Sequence, residues 1–205
     1  GYLPGLALVS SARRCQETWE GVVEAIGPAP TSVLPELYHA EADDMLAALR
    51  AAEPGTIVVL HACCHNPTGA NLSLEEWKAL TEDFAARGVI PFIDLAYQGF
   101  GDGLDADVAG LRHMVAALPE SFVGSSCSKN FGLYRDRVGA AFVVAKDAAA
   151  ARIAEGNLGN LNRLNFSFPP DHGAKVVSII LSDPELRADW QAELEEMRLN
   201  MLHLR

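Results

Sequence analysis

The sequence predicts an α/β fold in which a mostly parallel sheet is flanked by helices. From about residue 41 onward, short apolar runs alternate with amphipathic stretches, the order typical of parallel strands connected by helices. Residues 56–60 are β-branched or aliphatic throughout, as expected for a strand buried on both faces. The chain can form a substantial core, because 49% of its 205 residues are hydrophobic and 21% are charged.

The first predicted helix covers residues 41–52. Met45, Leu46 and Leu49 recur there at helical spacing, and a Pro-Gly pair follows that ends the helix. The buried strand described above comes next. Residues 1–40 have weak periodicity and scattered prolines, so the sequence predicts no element there.

Capping signals define the next helix. Ser73 and Glu76 have the spacing of a capping box, in which each side chain accepts a hydrogen bond from the other residue's backbone N–H. Gly88 supplies a residue that adopts the left-handed conformation at a helix end without strain. Between these signals, the apolar residues at helical spacing predict a stripe that faces the core: Leu74, Trp77, Leu80 and Phe84.

The same alternation continues to the end of the chain. It predicts strands at residues 89–94, 121–125 and 138–145, and helices at residues 108–118 and 171–181. Pro184 begins a last helix, because proline is favoured in the first helical turn. Its charged, amphipathic pattern continues to residue 205 without a stop signal.

The charge balance argues against two classes of partner. The chain has 27 acidic and 16 basic residues, for a formal net charge of −11. Phosphate backbones and anionic lipid repel such a chain, so we expect no binding to nucleic acid or to membranes. The cysteines lack the spacing of a disulfide framework and predict free thiols in a reducing cytoplasm: Cys15, Cys63, Cys64 and Cys127.

Polar side chains stand at the carboxyl ends of the predicted strands. Asn66 follows the first strand, and Asp94 ends the second, with Tyr97 three residues further on. In open α/β sheets, ligands bind beyond these strand ends. We therefore expect the three side chains to share one site with those that follow the third strand and precede the fourth: Ser126, Ser128, Lys129 and Arg137.

The residue types in this set suit one cofactor. A partly desolvated lysine such as Lys129 can form a Schiff base with an aldehyde. The two serines and the arginine would offer hydroxyl donors and a guanidinium to a phosphate dianion. Asp94 could keep a pyridine nitrogen protonated, while Tyr97 and Asn66 could donate to a phenolate oxygen. Together these groups meet the requirements of catalysis by pyridoxal phosphate.

Three motifs resemble the class I aminotransferases and, within them, the aspartate and aromatic amino acid branch. In one-letter code they are HACCHNPTG from residue 61, DLAYQGF from residue 94 and SCSKNFGLYRDRVG from residue 126. They occur in the order and at the spacings of that family, and the resemblance runs from about Tyr38 to the end of the chain. A single N-P-T-G would be a weak signal, whereas the three motifs together are specific.

The resemblance implies a pyridoxal-phosphate-dependent transaminase that moves an amino group between an acidic or aromatic L-amino acid and a 2-oxoacid. Lys129 resembles the Schiff-base lysine that later shuttles a proton, and Asp94 resembles the partner of the pyridine nitrogen. The resemblance further implies cofactor contacts at the 3′-oxygen from Tyr97 and Asn66, and at the phosphate from Ser126, Ser128 and Arg137. Asn66 would also contact the substrate α-carboxylate.

The family resemblance also implies a homodimer with shared sites. Arg163 resembles the arginine that reaches into the neighbouring subunit's site and binds the side-chain carboxylate of acidic substrates. In the family this arginine swings aside for aromatic substrates, so both substrate classes remain open.

By the same resemblance, residues 41–183 would form the core of the cofactor-binding large domain, and residues 184–205 would begin a long interdomain helix. Residues 1–40 stay unassigned, although Trp19 is a candidate for the aromatic residue that stacks on the cofactor. The family's glycine-rich phosphate-binding turn, interface tyrosine and α-carboxylate arginine have no counterpart here. We therefore expect a central fragment, truncated at both ends. The competing hypothesis is a catalytically incomplete remnant that binds only cofactor or a partner chain.

Each candidate residue has an ordinary structural interpretation as well. Taken alone, Lys129 could be a surface lysine and Asp94 a helix N-cap. Arg137 could be half of a surface ion pair, and Arg163 could cap helix carbonyls. Only the combination at the family's spacing favours the functional interpretation.

A zinc site is a further alternative for the first motif. His61, Cys63 and His65 would share one face of a strand, with Cys64 on the other. No distant ligand pair completes a tetrahedral shell, so we expect no metal and regard the cysteines as small apolar residues.

Overall fold

The computed structural model describes residues 7–10, 31–34, 46–47, 49–168 and 170–204. These residues form one six-stranded sheet with the strands β1 (Ala7–Ser10), β2 (Thr31–Leu34), β3 (Ile57–His61), β4 (Ile90–Leu95), β5 (Ser121–Ser126) and β6 (Gly139–Val144). The strand order is β2-β1-β3-β4-β5-β6. All neighbouring pairs are parallel except β5 and β6, which are antiparallel. The predicted α/β fold with a mostly parallel sheet is therefore confirmed.

Helices connect and follow the strands. They are α1 (Leu74–Arg87), α2 (Ala109–Ala117), α3 (Ala148–Phe166), α4 (His172–Ser182) and α5 (Pro184–His203), with a short 3₁₀ helix at Ala106–Val108. α1 packs against α2, and α4 packs against α5. Among the described residues, no helix is both long and apolar enough to cross a membrane.

Most predicted elements occur close to their expected positions. Strands β3 to β6 each begin and end within one residue of the prediction, and α2, α4 and α5 begin and end within two. Residues 46–47 and 49–50 of the first predicted helix are helical. Residues 41–45, Trp19 and Tyr38 lie outside the described residues.

Two strands and one α-helix were not predicted. Strands β1 and β2 are four residues each, too short for a clear apolar run. Helix α3 begins after Asp147, whose carboxylate accepts a hydrogen bond from the Ala150 N–H at 2.8 Å. Gly156 and Gly159 interrupt its sequence, and its described side chains are mostly exposed, so it lacks the continuous apolar stripe that identifies a helix.

Helix α1 confirms the capping signals and corrects one core residue. The Ser73 and Glu76 side chains accept hydrogen bonds from each other's backbone N–H, and Gly88 ends the helix at φ 65°. Trp77 belongs to the buried core, together with Leu80 and Phe84. Leu74, in contrast, is 44% exposed. Leu74 is the first residue of the helix, and at this end the core does not cover its side chain.

The strand register brings the predicted site residues to one edge of the sheet. Asp94 in β4 is paired with His61 on one side and with Gly124 in β5 on the other. Ser126, the last residue of β5, is paired with Gly139 at the start of β6. The chain segments after β3, β4 and β5 therefore all leave the sheet at the same edge.

Candidate cofactor site

Lys129 lies in a tight turn after β5. The Ser128 N–H donates to Ser126 Oγ at 3.1 Å, and the Gly132 N–H donates to the Lys129 carbonyl at 3.0 Å. Before the lysine, the Cys127 N–H donates to the Val138 carbonyl at 3.1 Å, which ties the turn to the residue that precedes β6. Ser128 is buried and Lys129 is half-buried. These hydrogen bonds hold the backbone on both sides of Lys129.

The lysine amine lies over an aromatic ring from the loop that follows β4. Lys129 Nζ is 4.5 Å from the centre of the Tyr97 ring, which is the geometry of a cation–π contact. A second contact joins the same two loops, because Asn130 Nδ2 donates to the Gln98 carbonyl at 3.3 Å. The structure therefore brings Lys129 and Tyr97 together, as the shared strand edge predicts.

Asp94 is the acidic group of this edge. Its side chain is accessible to solvent, but the surrounding protein displaces much of the bulk water, and this loss of hydration raises the pKa of the carboxyl. The positive charge of Lys129 acts in the opposite direction and lowers the pKa. The two side chains are thus close enough to interact electrostatically.

Asn66 follows β3 in a turn built around a histidine. The Asn66 N–H donates to His61 Nδ1 at 3.2 Å, and the rings of His61 and His65 are 4.6 Å apart. His65 Nδ1 is hydrogen-bonded to Thr68 Oγ1 at 2.9 Å. Cys64 in this turn has φ 48°, in the left-handed region that non-glycine residues seldom adopt.

His61 is a site residue to which sequence reasoning gave no catalytic role. Burial lowers the pKa of its imidazole, and the nearby charge of Lys129 lowers it further. The structure pairs it with Asp94 in the register of β3 and β4. A pattern of alternating residues assigns a strand face, but it does not show which charges lie opposite that face.

Arg137 borders the site on the side of β6. It also has a left-handed backbone, with φ 52°, and its guanidinium Nη1 donates to the Tyr134 carbonyl at 3.0 Å. Its side chain is exposed, and the next residue, Val138, accepts the hydrogen bond from the Lys129 turn. Of the three described non-glycine residues with positive φ, Cys64 and Arg137 flank this edge, and Ser167 ends α3.

The structure does not join Arg163 to this group. It lies in the last turn of α3 with an exposed side chain, and its carbonyl accepts a hydrogen bond from the Ser167 N–H at 2.9 Å. None of the contacts described above for the site includes it.

The cysteines of the first motif are not placed as nucleophiles. A hydrogen bond with Cys64 and burial both raise the pKa of the Cys63 thiol, and burial raises the pKa of Cys127. Cys63 and Cys127 are free thiols. Across the described part of the chain, no group of three or more His, Cys, Asp or Glu side chains is positioned to hold a metal ion.

Asp107 supports the loop after β4 that contains Tyr97, called here the Tyr97 loop. No sequence motif identified this aspartate. Its buried carboxylate accepts hydrogen bonds from the backbone N–H groups of Gly99 at 2.8 Å, Gly101 at 3.0 Å and Asp102 at 2.7 Å. A lone aspartate before a helix looks like a cap, and only the fold shows that it organises the loop after β4.

The donor set fits pyridoxal phosphate. An amine, a carboxylate, a phenol and serine hydroxyls lie at one edge of the sheet, and a guanidinium borders it. The charge of Lys129 lowers the pKa of both Asp94 and His61, so the amine is electrostatically coupled to the carboxylate. This is the chemistry that an aldehyde cofactor with a ring nitrogen and a phosphate requires.

A parallel sheet with these polar groups at its carboxyl edge is the arrangement of an α/β enzyme that binds its ligand beyond the strand ends. The model of the family Aminotransferase class I and II matches residues 24–205. An aromatic-amino-acid aminotransferase of Paracoccus denitrificans is 53% identical over 163 residues, which cover 80% of this chain and 41% of that protein. Other relatives that match are named aspartate aminotransferases.

Solved structures agree with this match. An aromatic amino acid aminotransferase with 3-indolepropionic acid is similar with a TM-score of 0.86 and 45% identity, covering 98% of this chain and 52% of that one. An aromatic-amino-acid aminotransferase from Burkholderia pseudomallei, covalently bound to pyridoxal phosphate, gives a TM-score of 0.81 and 42% identity, covering 97% and 50%.

The chain therefore belongs to the class I and II aminotransferase family, which confirms the resemblance of its motifs. It spans 41% of the length of the Paracoccus relative and about half of the two solved chains.

Proposed function

We propose that this chain provides the cofactor-binding part of a pyridoxal-phosphate-dependent transaminase. The substrates would be an acidic or aromatic L-amino acid and a 2-oxoacid. One observation carries the proposal: the Lys129 amine lies over the Tyr97 ring and is electrostatically coupled to Asp94, at the sheet edge where Ser126 and Ser128 also lie.

Each side chain then has a defined task. Pyridoxal phosphate, when bound, supplies an electron sink for charge that develops at the α-carbon of an amino acid. Lys129 provides the primary amine that binds the cofactor covalently and afterwards accepts and returns a proton. Asp94 holds a proton on the ring nitrogen, and Tyr97 and Asn66 provide donors for the ring oxygen.

The phosphate is assigned to Ser126, Ser128 and Arg137. Two hydroxyls and a guanidinium match the charge and the lone pairs of a dianion. The Ser128 N–H already donates to Ser126 Oγ, so the two serines are held as one unit. Arg137 has an exposed guanidinium that can turn toward a ligand.

Arg163 is assigned to the substrate side chain in a homodimer. Within one chain its exposed guanidinium is separate from the other site residues, as supply to the site of a second subunit would require. The relatives named for aromatic amino acids and for aspartate support both substrate classes. The free thiols favour a reducing compartment, such as the cytoplasm.

A second candidate is a chain that binds the cofactor or a partner chain without turnover. It is favoured by one observation, namely that Arg163, the side chain assigned to the substrate, is exposed and apart from the other site residues within one chain. Groups that orient the substrate contribute much of the rate of such enzymes, and a chain without them would retain only binding.

The test is the visible absorbance of the chain mixed with pyridoxal phosphate, before and after borohydride. We expect an absorbance band that borohydride converts to a permanent adduct on Lys129, and its loss in Lys129→Ala. Lys78→Ala is the matched control, because Lys78 is an exposed lysine paired with Glu75 on α1. An equal band in Lys129→Ala would refute the site, and a band without amino-group transfer would favour the second candidate.

A further inference from the structure

One face of α5 contacts both loops of the candidate site. Trp190, Leu194 and Arg198 follow each other at intervals of four residues, so they lie in a row on one side of the helix. Trp190 contacts the loop after β5, whereas Leu194 and Arg198 contact the loop after β4. None of the three was part of any motif in the sequence.

Trp190 holds the two residues that directly follow Lys129. Its ring is stacked on Phe131, with the ring centres 4.4 Å apart and the planes at 9°. Its indole Nε1–H donates to the Asn130 carbonyl at 2.7 Å. The contact combines apolar area with one short hydrogen bond, so it fixes the direction of the chain at that point as well as its distance.

Leu194 and Arg198 hold the Tyr97 loop. Leu194 is 1% exposed, and a Cβ placed on Gly99 would lie 2.6 Å from its Cδ2. Arg198 Nη1 donates to the Gly101 carbonyl at 3.1 Å. The guanidinium is itself oriented by Glu195, with Nε to Oε2 at 2.8 Å and Nη2 to Oε1 at 2.6 Å.

The two loops also contact each other at the site. Asn130 Nδ2 donates to the Gln98 carbonyl, one residue beyond Tyr97, and Lys129 Nζ lies over the Tyr97 ring. Asn130 is thus held from both sides, by Trp190 through its carbonyl and by the Tyr97 loop through its side chain. A shift of α5 would move the lysine and the tyrosine through these contacts.

We propose that Trp190 is a positioning residue for Lys129 and that the Trp190–Leu194–Arg198 face of α5 sets the geometry between Lys129 and Tyr97. The inference rests on the proposed function for what Lys129 does. The placement of the lysine can nevertheless be measured without the cofactor.

The experiment uses two substitutions of Trp190 in the complete protein. Trp190→Phe keeps a ring that can stack on Phe131 but removes the N–H donor, and Trp190→Ala removes both. Leu199→Ala is the control for the helix, since Leu199 is 52% exposed on α5. Trp77→Phe is the control for loss of a buried indole elsewhere in the core.

Two measurements report on the lysine directly. The first is hydrogen–deuterium exchange of the peptide that contains Lys129, where the Gly132 amide is bonded to the Lys129 carbonyl. The second is competitive acetylation of Lys129 relative to Lys78 at one fixed pH. Lys78 on α1 is the internal standard for the reagent, because it is already exposed. A general loosening of the protein is controlled by Trp77→Phe, in which the Lys129 to Lys78 ratio should stay unchanged.

In Trp190→Phe we expect exchange and relative acetylation at Lys129 to rise by about five-fold, the factor that corresponds to one lost hydrogen bond of ordinary strength. We expect a larger rise in Trp190→Ala and none in either control. Unchanged exchange or an unchanged Lys129 to Lys78 ratio in both Trp190 variants would overturn the proposal, as would equal changes in Trp77→Phe.

Addition of pyridoxal phosphate separates this proposal from the proposed function. If the unaltered protein forms the borohydride-fixed adduct on Lys129, its rate of formation should fall in both Trp190 variants, and an unchanged rate would contradict the positioning role. If the unaltered protein forms no adduct, the proposed function fails. The exchange and acetylation results then still decide whether α5 places the lysine.

Discussion

His61 and Asp94 are direct neighbours across the parallel strands β3 and β4. Burial lowers the pKa of His61 and raises that of Asp94, while the positive charge of Lys129 lowers the pKa of both. The lysine therefore favours a neutral imidazole beside an ionised carboxylate. Because His61 Nδ1 accepts the Asn66 N–H, the remaining ring proton lies on Nε2.

Removal of the Lys129 charge should raise the pKa of both His61 and Asp94. In Lys129→Met we expect the pKa of His61 to rise toward its usual value of 6.5 and the pKa of Asp94 to rise further above 3.8. The measurement is a pH titration of the His61 ring and the Asp94 carboxyl by NMR. Lys175→Met is the control, because Lys175 is an exposed lysine on α4 that is paired with Asp171, the residue before that helix. A His61 pKa that is the same in Lys129→Met and in Lys175→Met would contradict the coupling.

His61 should make the folded protein less stable in mild acid. The unfolded chain binds a proton at this histidine below about pH 6.5, whereas the folded protein does so only at its lower pKa. Between these two values the unfolded state holds more protons, so the free energy of unfolding decreases as the pH falls, by at most about 1.4 kcal/mol per pH unit. Below the folded pKa the penalty stays constant.

This pH dependence can be isolated by substitution. We expect His61→Gln to lose less stability than the unaltered protein between about pH 7.5 and about pH 5, measured by urea unfolding. His113→Gln, at an exposed position on α2, should follow the unaltered protein. The raised pKa of Asp94 changes the stability in the opposite direction, because protonation of this carboxyl favours the folded state as the pH falls. This contribution is common to all three proteins.

Local signals made much of this fold predictable. The capping box at Ser73 and the glycine at the end of α1 require only neighbouring residues, and both are present as predicted. The buried strands were identifiable because parallel strands form uninterrupted apolar runs. Because parallel strands end at the same edge of a sheet, the sequence was sufficient to predict that Asp94 and Lys129 lie at one edge, although it did not show their contacts.

The features that could not be predicted from the sequence depend on contacts between distant segments of the chain. α5 was predicted as a charged, amphipathic helix, but the face that contacts the two site loops consists of one tryptophan, one leucine and one arginine. A row of such mixed residue types is not recognisable as a packing face from the sequence. The antiparallel direction of β6 follows from how the chain returns after the Lys129 turn. The effect of Lys129 on His61 likewise appears only when two strands are side by side.

Asp107 should be the most sensitive residue of the Tyr97 loop. Asp107→Ala would leave three backbone N–H groups without their acceptor, and each buried unsatisfied group costs about 1–3 kcal/mol. We expect a loss of about 3 kcal/mol or more in the free energy of unfolding, with faster hydrogen exchange in the loop. Asp107→Asn retains one carbonyl oxygen and should lose less.

Asp105 provides the control for this prediction. It lies two residues away in sequence, and its 89% exposed side chain makes only a surface ion pair with Arg112 at 3.0 Å. Such pairs contribute at most about 1 kcal/mol. Similar losses in Asp105→Ala and Asp107→Ala would show that the buried carboxylate does not organise the loop.

The contact between Gly99 and Leu194 can be tested with a double-mutant cycle. Gly99 has φ 96°, and an added Cβ would lie 2.6 Å from Leu194 Cδ2, so Gly99→Ala combines backbone strain with a clash. Leu194→Ala removes a fully buried side chain, which costs about 2–5 kcal/mol. In the double variant the clash with Leu194 disappears and the new methyl group fills part of the cavity, while its tight 3.2 Å contact with Leu104 Cδ2 remains.

The two substitutions should therefore destabilise the protein by less together than the sum of their separate effects. Residues in contact show coupling energies of about 0.5–3 kcal/mol, whereas distant residues are additive. The free energy of unfolding of the four proteins gives the coupling. The strain at φ 96° remains in the double variant, so stability should not return to that of Leu194→Ala alone. Additive effects would mean that Leu194 of α5 and Gly99 of the Tyr97 loop are not in energetically significant contact.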